Sequence, residues 1–218
     1  MPFAIVATIT LGLALDQFGG PWGQPLVNAL AWLVLAALWR SSERAARPAL
    51  AACLAFATAG EAFLSLGWGL YEYRLSNIPL FVPPGHVLLY YLGTRIAARL
   101  PASADWGVAA LAAPAVLGLA LTGHDTLGPL LFALFVLCLW LSPSRRLYAT
   151  MFALSLAMEL YGTWLGNWTW ASEVPVLGLA TTNPPLTAGA FYCVLDLLVV
   201  STARAIAARR LSPQPGQD

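Results

Sequence analysis

The stretch LGPLLFALFVLCLWL, residues 127–141, contains no charged side chain. Such a run approaches the roughly 20 apolar residues that an α-helix needs to cross a lipid bilayer. Similar runs recur along the whole chain, separated by short segments that are rich in glycine, proline or arginine. The pattern predicts an all-α polytopic membrane protein with about eight transmembrane helices. The apolar runs are about 3–18, 25–39, 48–71, 84–98, 106–122, 127–141, 148–166 and 186–203.

The composition of the chain supports the same class. Hydrophobic residues make up 59% of the 218 positions and charged residues 10%, and the mean hydropathy is +0.72. Soluble domains carry roughly 25% charged residues, so a soluble protein could not cover its surface with this composition. A soluble enzyme, a DNA-binding domain and a secreted disulfide scaffold are therefore excluded. The unbroken apolar runs also exclude a β-barrel, whose strands would alternate apolar and polar residues.

The arginines predict the topology. All eleven cationic residues are arginine, and ten of them follow the second, fourth, sixth or eighth run. The positive-inside rule makes that side cytoplasmic and places both termini there. An arrangement with seven spans would instead distribute the arginines over both faces. Arg74 is the exception, and we interpret it as an ordinary charge of an outer loop. The use of arginine without lysine is typical of GC-rich bacterial genomes, which predicts a multi-pass protein of the bacterial inner membrane.

The two halves of the chain repeat the same order of residues. The sequence LGLAL at 11–15 recurs at 117–121, and Glu61 is matched by Glu159. Each glutamate is followed by alternating aromatic residues and then by a Pro-Pro pair. An internal repeat of four helices, an even number, gives both copies the same orientation in the membrane. We therefore predict one membrane domain over 1–210, with parallel repeats at about 1–100 and 101–210, and a polar disordered tail at 211–218.

Three acidic residues lie well inside apolar runs, and they are the main candidates for chemistry. Glu61, Glu159 and Asp196 each cost several kcal/mol at mid-membrane depth unless they are protonated, paired or facing water. No lysine exists and no arginine lies at that depth, so the apolar surroundings favour the neutral acids. His86 follows Pro-Pro-Gly at the start of the fourth span and can reach Glu61 across the bundle. We predict these four residues as an acid–base set; the alternative is that the acids only hold helices together by hydrogen bonds.

Aromatic and amide side chains cluster where the third and seventh spans reach the outer face. An aromatic belt at the membrane interface explains such residues, but aromatic faces also stabilise carbocations. No motif typical of a metal or nucleotide site is present, so we expect no metal and no other cofactor. The three cysteines lie far apart within apolar runs and are predicted to pack in the bundle. The predicted substrate-binding residues are Trp68, Tyr71, Tyr73, Tyr91, Trp164, Asn167, Trp168, Trp170, Asn183 and Tyr192.

A motif in the second half resembles integral-membrane carotenoid hydratases, a family of carotenoid biosynthesis. Glu159-Leu-Tyr-Gly-Thr163 is followed by Gly166-Asn-Trp-Thr-Trp170 and by a loop that contains Pro175. The family has a Glu-x-x-Gly helix, a Gly-Asn-aromatic-x-aromatic segment and a Gly-x-Pro loop, with tyrosine where this chain has tryptophan. The resemblance covers about 159–185. It implies acid-promoted addition of water to a polyene, or its cyclisation, with Glu159 as the glutamate that is carried over.

These observations leave three classes of function open. The first is an intramembrane enzyme, a lyase or isomerase of the hydratase or cyclase type, that acts on an isoprenoid or polyene lipid through acid–base chemistry. The second is a proton-coupled transporter of a small molecule or lipid, because parallel repeats and acids at the membrane midplane also fit a transporter. The third is a structural membrane subunit. The expected partner is a membrane lipid or isoprenoid substrate; a homo-oligomer stays open, and nothing indicates nucleic-acid binding.

Overall fold

The computed structural model describes residues 1–101 and 103–211, and helices form most of this part of the chain. Five of the helices have proline in their first turn, where its fixed φ favours the helix and its missing N–H costs nothing. The predicted all-α class is thereby confirmed. In the described residues the α-helices are α1 (Pro2–Phe18), α2 (Gly20–Ser41), α3 (Arg47–Glu61), α4 (Val82–Ala97), α5 (Ala104–Leu121), α6 (Gly128–Leu141), α7 (Arg145–Leu165) and α8 (Gly189–Leu211).

Some of the helices have the length and the apolar surface of membrane spans. Within the described residues, four helical segments are long and apolar enough to cross a bilayer, namely Gly20–Ser41, Arg47–Gly67, Ala104–Leu121 and Gly189–Arg209. α1 and α6 are apolar but shorter. Large apolar side chains point away from the bundle; Phe3 is 91% exposed and Leu111 is 83% exposed. Continuous apolar surface of this kind is unfavourable in water, so it indicates a membrane protein whose outer surface faces lipid.

Four helices form the centre of the bundle. α3 packs against α4 and α8, and α7 packs against the same two helices. Glycines allow close approach at these contacts, because Gly93 of α4 lies against Met151 and Gly189 of α8 lies against the backbone of Phe152. α1 and α2 pack as a pair beside α4, whereas α5 and α6 pack as a pair beside α7 and α8. Leu211, the first residue of the predicted polar tail, is the last residue of α8, and 212–218 lie outside the described residues.

The outer ends of α3 and α7 continue into two short strands that pair with each other. A π-helical turn (Ala62–Gly67) follows α3 and leads to β1 (Tyr71–Tyr73). α7 ends at Gly166, whose φ of 85° lets the chain turn sharply into β2 (Trp168–Trp170). The strands are antiparallel, with Tyr71 opposite Trp170 and Tyr73 opposite Trp168. Because side chains alternate along a strand, all four of these aromatic residues are buried on the inner face of the sheet.

Candidate active site

Glu61, at the end of α3, has three side-chain hydrogen-bond partners. Its Oε2 atom lies 2.9 Å from the hydroxyl of Tyr71 and 2.7 Å from the hydroxyl of Tyr73. Its Oε1 atom lies 2.8 Å from Nε2 of His86. Two prolines precede His86 and start α4, which places the imidazole in the first helical turn, facing α3. This buried carboxyl group is thus surrounded by polar partners as well as by apolar side chains.

Glu159, in α7, has an equally complete set of donors. Its Oε2 atom accepts from Nε1 of Trp168 at 2.7 Å and from Nε1 of Trp170 at 3.0 Å. Its Oε1 atom accepts from the hydroxyl of Tyr192 in α8 at 3.0 Å. The indole of Trp168 lies directly over Gly162, one turn after Glu159, and a Cβ atom at that position would collide with the ring. The absence of a side chain at this glycine therefore sets the position of the indole donor.

The two carboxyl groups differ in the protons they can exchange. Phenol and imidazole groups can donate or accept a proton, whereas an indole N–H only donates a hydrogen bond. Glu61 and His86 can therefore share a mobile proton between Oε1 and Nε2. The Oε2 atom of Glu159 accepts both indole hydrogen bonds, and neither indole can take a proton from it. The geometry thus provides one carboxyl beside an imidazole that can exchange a proton and one carboxyl whose Oε2 atom is held by donors alone.

Aromatic rings connect the two carboxyl groups. The imidazole of His86, bonded to Glu61, stacks on the ring of Tyr192, which is bonded to Glu159. Across the sheet, the rings of Tyr71 and Trp170 lie 4.8 Å apart. The two carboxyl groups therefore form one continuous site rather than two separate ones.

Both glutamates line a single cleft in the bundle. The cleft has a cavity volume of about 120 Å³ and is open on one side, so it holds only a slender part of a ligand at a time. Apart from the glutamates, His86 and the aromatic residues of the sheet, its walls are largely apolar side chains of α1, α2, α3, α4, α7 and α8. No arginine is among the lining residues. Such a cleft suits a hydrocarbon chain with a reactive group held near the two carboxyls.

The structure brings most of the predicted catalytic and aromatic residues to this cleft. They arrive from the ends of α3 and α7, from the sheet and from the facing sides of α4 and α8. The sequence repeat and the alternating aromatic residues were the signals that selected them. The predicted residues that line the cleft are Glu61, Tyr71, Tyr73, His86, Glu159, Trp168, Trp170 and Tyr192.

Three other predicted site residues lie elsewhere. Trp164 is 78% exposed on the outer surface of α7, and the hydroxyl of Tyr91 accepts hydrogen bonds from Arg95 outside the cleft. Trp164 and Tyr91 each follow a cleft residue by five positions, and five helical residues turn the side chain about 140° away. Asp196 is 0% exposed, does not line the cleft, and neither of its carboxyl oxygens has a hydrogen-bond partner.

The remaining three predicted residues do not line the cleft, but they form hydrogen bonds with the segments around it. Nε1 of Trp68 donates to the backbone oxygen of Pro175 at 2.9 Å, which ties the two outer loops together. Oδ1 of Asn183 accepts from the backbone N–H of Trp170 at 2.9 Å. Asn167 donates through Nδ2 to the side chain of Asp16 at 2.7 Å. These contacts fix the sheet that carries the aromatic donors.

The sequence reasoning missed the role of Asp16. This residue is buried near the end of α1, and Arg74 donates to its backbone oxygen at 2.6 Å and to its Oδ1 atom at 3.4 Å. The interpretation of Arg74 as an ordinary loop charge is therefore wrong. The pair closes the outer end of α1 over the sheet. An acid inside the first apolar run was the available signal, but its partners lie far away along the chain.

Comparison of the chain with protein-family models, with curated proteins and with solved structures found no match. The resemblance to carotenoid hydratases therefore stays a prediction.

Proposed function

We propose that this chain is an intramembrane enzyme that protonates a carbon–carbon double bond of an apolar, isoprenoid-type lipid, as a hydratase or cyclase. The observation that carries the proposal is the pair Glu61 and Glu159 in one apolar cleft, with three side-chain partners at each carboxyl. A purely structural role does not require an open cleft beside both acids. General acid–base catalysis of this kind contributes typically 10²- to 10⁴-fold to a rate.

Glu61 is the proton donor in this proposal, and Glu159 is the acceptor. Glu61 gives its proton to one carbon of the double bond; the π electrons form the new C–H bond and leave a cation on the neighbouring carbon. The hydroxyls of Tyr71 and Tyr73 stabilise the carboxylate that remains. The aromatic faces of the sheet stabilise the cation. This assignment reverses the expectation from the family resemblance, which carried over Glu159.

The cation then has two outcomes. In hydration, the oxygen of a water molecule bonds to the cationic carbon, and the second proton of that water passes to Glu159. In cyclisation, another double bond of the substrate supplies the electrons, and the proton lost at the end passes to Glu159. Transfer of this proton back to Glu61 through water in the cleft restores the resting state; His86 and Tyr192 hold the two carboxyls on either side of that path.

The proposed topology has eight spans in the inner membrane of a bacterium, with both termini cytoplasmic. The two halves of the chain are parallel four-helix repeats. Three observations support this part of the proposal: the arginines follow every second apolar run, an acid-bearing helix leads to a short strand in each half, and the two strands pair in a symmetric register. The shared site then lies where the two repeats meet.

A proton-coupled transporter is the second candidate. The observation that favours it is the hydrogen bond between Glu61 and His86, because such a pair can take up and release a proton from a cleft. A transporter requires that the cleft open to each side of the membrane in turn, whereas the enzyme requires only that lipid reach the acids. A structural subunit is the third candidate and needs neither.

Mass spectrometry of the lipids that co-purify with the protein separates these candidates. The variants are Glu61→Gln and Glu159→Gln, and Glu72→Gln is the matched control because Glu72 lies on the exposed face of β1. The enzyme predicts that an unsaturated lipid accumulates on both site variants, while its product is found on the wild type and on the control. Unchanged lipids with loss of proton flux in liposomes indicate a transporter. Unchanged lipids with lost thermal stability indicate a structural subunit.

A further inference from the structure

The cleft is open along one side of α3. Phe56, Gly60 and Leu64 line the cleft and are each partly exposed, so they form its edge rather than its buried wall. On the neighbouring surface, Phe63 is 61% exposed and Leu66 is 67% exposed. Exposed apolar residues of this size on a membrane protein face lipid. The opening is therefore directed toward the hydrocarbon of the bilayer.

The packing of the outer helices explains why the opening is there. In the second half of the chain, α5 packs against α7 and covers it. The helix in the corresponding place of the first half is α1, which packs mainly against α2, α4 and α7. In the described part of the chain, one side of α3 therefore has no helix packed against it in the way that α5 packs against α7. Residues of α1 and α2, including Ile9, Leu13 and Ala31, form the opposite wall of the resulting cleft.

The chemistry of the walls restricts what can enter. An isoprenoid diphosphate or a phospholipid carries a phosphate, which proteins bind with arginine, lysine or metal ions. The lining residues include no arginine, and the nearby Arg74 is held by Asp16. A negatively charged headgroup beside Glu61 and Glu159 would also be repelled. The cleft therefore selects an uncharged chain.

We propose that the gap between α1 and α3 is a lateral portal through which a neutral, single-chain unsaturated hydrocarbon enters from the bilayer. The chain lies along α3 with one double bond between Glu61 and Glu159. This inference rests on the proposed function for the role of the double bond. Binding through the portal does not itself require turnover.

Gly60 offers a direct way to block the portal. It lines the cleft one residue before Glu61, and no atom lies within 4 Å of the position that a Cβ atom would occupy. A Gly60→Leu side chain can therefore fill the cleft without a clash in the bundle. Gly85 lines the cleft from α4 with the same free space, so Gly85→Leu is a second blocking variant. Gly118→Leu, on the exposed surface of α5 with no atom within 4 Å, is the matched control.

The test measures binding of squalene to detergent-solubilised protein by native mass spectrometry, with geranylgeranyl diphosphate as the charged competitor. We expect Gly60→Leu and Gly85→Leu to bind squalene at least tenfold more weakly than the wild type. Gly118→Leu should bind normally, and the diphosphate should not displace squalene. Undiminished squalene binding by folded blocking variants overturns the portal, as does displacement by the diphosphate. Squalene binding through the portal without any lipid conversion in the glutamate experiment would instead refute the proposed catalysis alone.

Discussion

The imidazole of His86 stacks on the phenol ring of Tyr192, with centroids 4.9 Å apart and planes inclined by 27°. Through these two rings, the hydrogen-bond partners of Glu61 contact those of Glu159. The two residues come from α4 and α8, which both pack against α3 and α7. The stack is thus the place where the two halves of the chain share one chemical site.

Replacing His86 by phenylalanine distinguishes the contribution of its ring from that of its Nε2 atom. His86→Phe keeps an aromatic ring against Tyr192 but removes Nε2, so Oε1 of Glu61 loses its partner. We expect lipid conversion to fall about 100-fold or more, in line with the loss of an acid–base group, and the pH dependence of the remaining activity to change. Conversion is measured by mass spectrometry across a pH series. His124→Phe is the control, because His124 is exposed in the turn after α5; equal activity of both variants would contradict the role of His86.

Gly162 is expected to tolerate no side chain. The Cβ atom of Gly162→Ala would meet the ring of Trp168 and push the indole away from Oε2 of Glu159. A lost hydrogen bond to a charged group costs about 1.5–3 kcal/mol, so the thermal midpoint should fall and conversion should decrease. Gly118→Ala, which meets no atom, should leave both quantities unchanged. A wild-type midpoint for Gly162→Ala would show that Trp168 can move at little cost.

The cluster around Asp16 is expected to matter for stability rather than chemistry. Asp16→Ala removes the carboxylate that accepts from Arg74 and from Asn167, and leaves each of them one backbone acceptor in α1. Breaking a fully buried ion pair costs 3–5 kcal/mol; since the side chain of Arg74 is 25% exposed, we expect a loss of about 2–3 kcal/mol.

The free energy of unfolding in detergent micelles is the quantity to measure for this cluster. Glu72→Ala provides the comparison, since Glu72 is an exposed acid that accepts a hydrogen bond from the nearby Ser76. Its loss should change stability by less than about 1 kcal/mol. Equal effects of the two substitutions would show that the buried cluster does not stabilise α1.

Asp196 is a buried acid that lies outside the cleft. Neither carboxyl oxygen has a hydrogen-bond partner, so the neutral acid is the less costly form. Asp196→Asn keeps the shape and the neutrality, and we expect stability within about 1 kcal/mol of the wild type and unchanged lipid conversion. Thermal unfolding and the conversion assay test this directly. Loss of conversion with intact folding would instead make Asp196 part of a proton path through α8.

Much of the site could be predicted because local sequence patterns indicated its residues. Apolar runs with arginine at alternate ends indicated the helices, and the repeated order of glutamate, aromatic residues and prolines selected Glu61 and Glu159 together. The Pro-Pro-Gly before His86 indicated a helix start that faces the third span. These signals act within one turn or one short segment, where spacing determines which side chains meet.

What could not be predicted depends on contacts between distant parts of the chain. Asp16 meets Asn167 151 residues away, and no local pattern indicates that contact. Trp164 in α7 and Tyr91 in α4 lie on helix faces that point away from the cleft. Their aromatic side chains alone gave no sign of this. The pairing of β1 with β2 was also missed: both segments show alternating aromatic residues, but no local pattern indicates that two segments so far apart in the chain pair with each other.

The most direct test of the central claim is the fate of the proton. Membranes that contain the wild-type protein, and membranes that contain Glu61→Gln, are incubated in D₂O with the lipid that accumulates on the Gln variant, and the product is examined by mass spectrometry. Protonation of a double bond by an exchangeable carboxyl group predicts a product with one deuterium on carbon, formed by the wild type and not by Glu61→Gln. Recovery of the lipid unchanged from wild-type membranes, or a product without carbon-bound deuterium, would contradict the proposed chemistry.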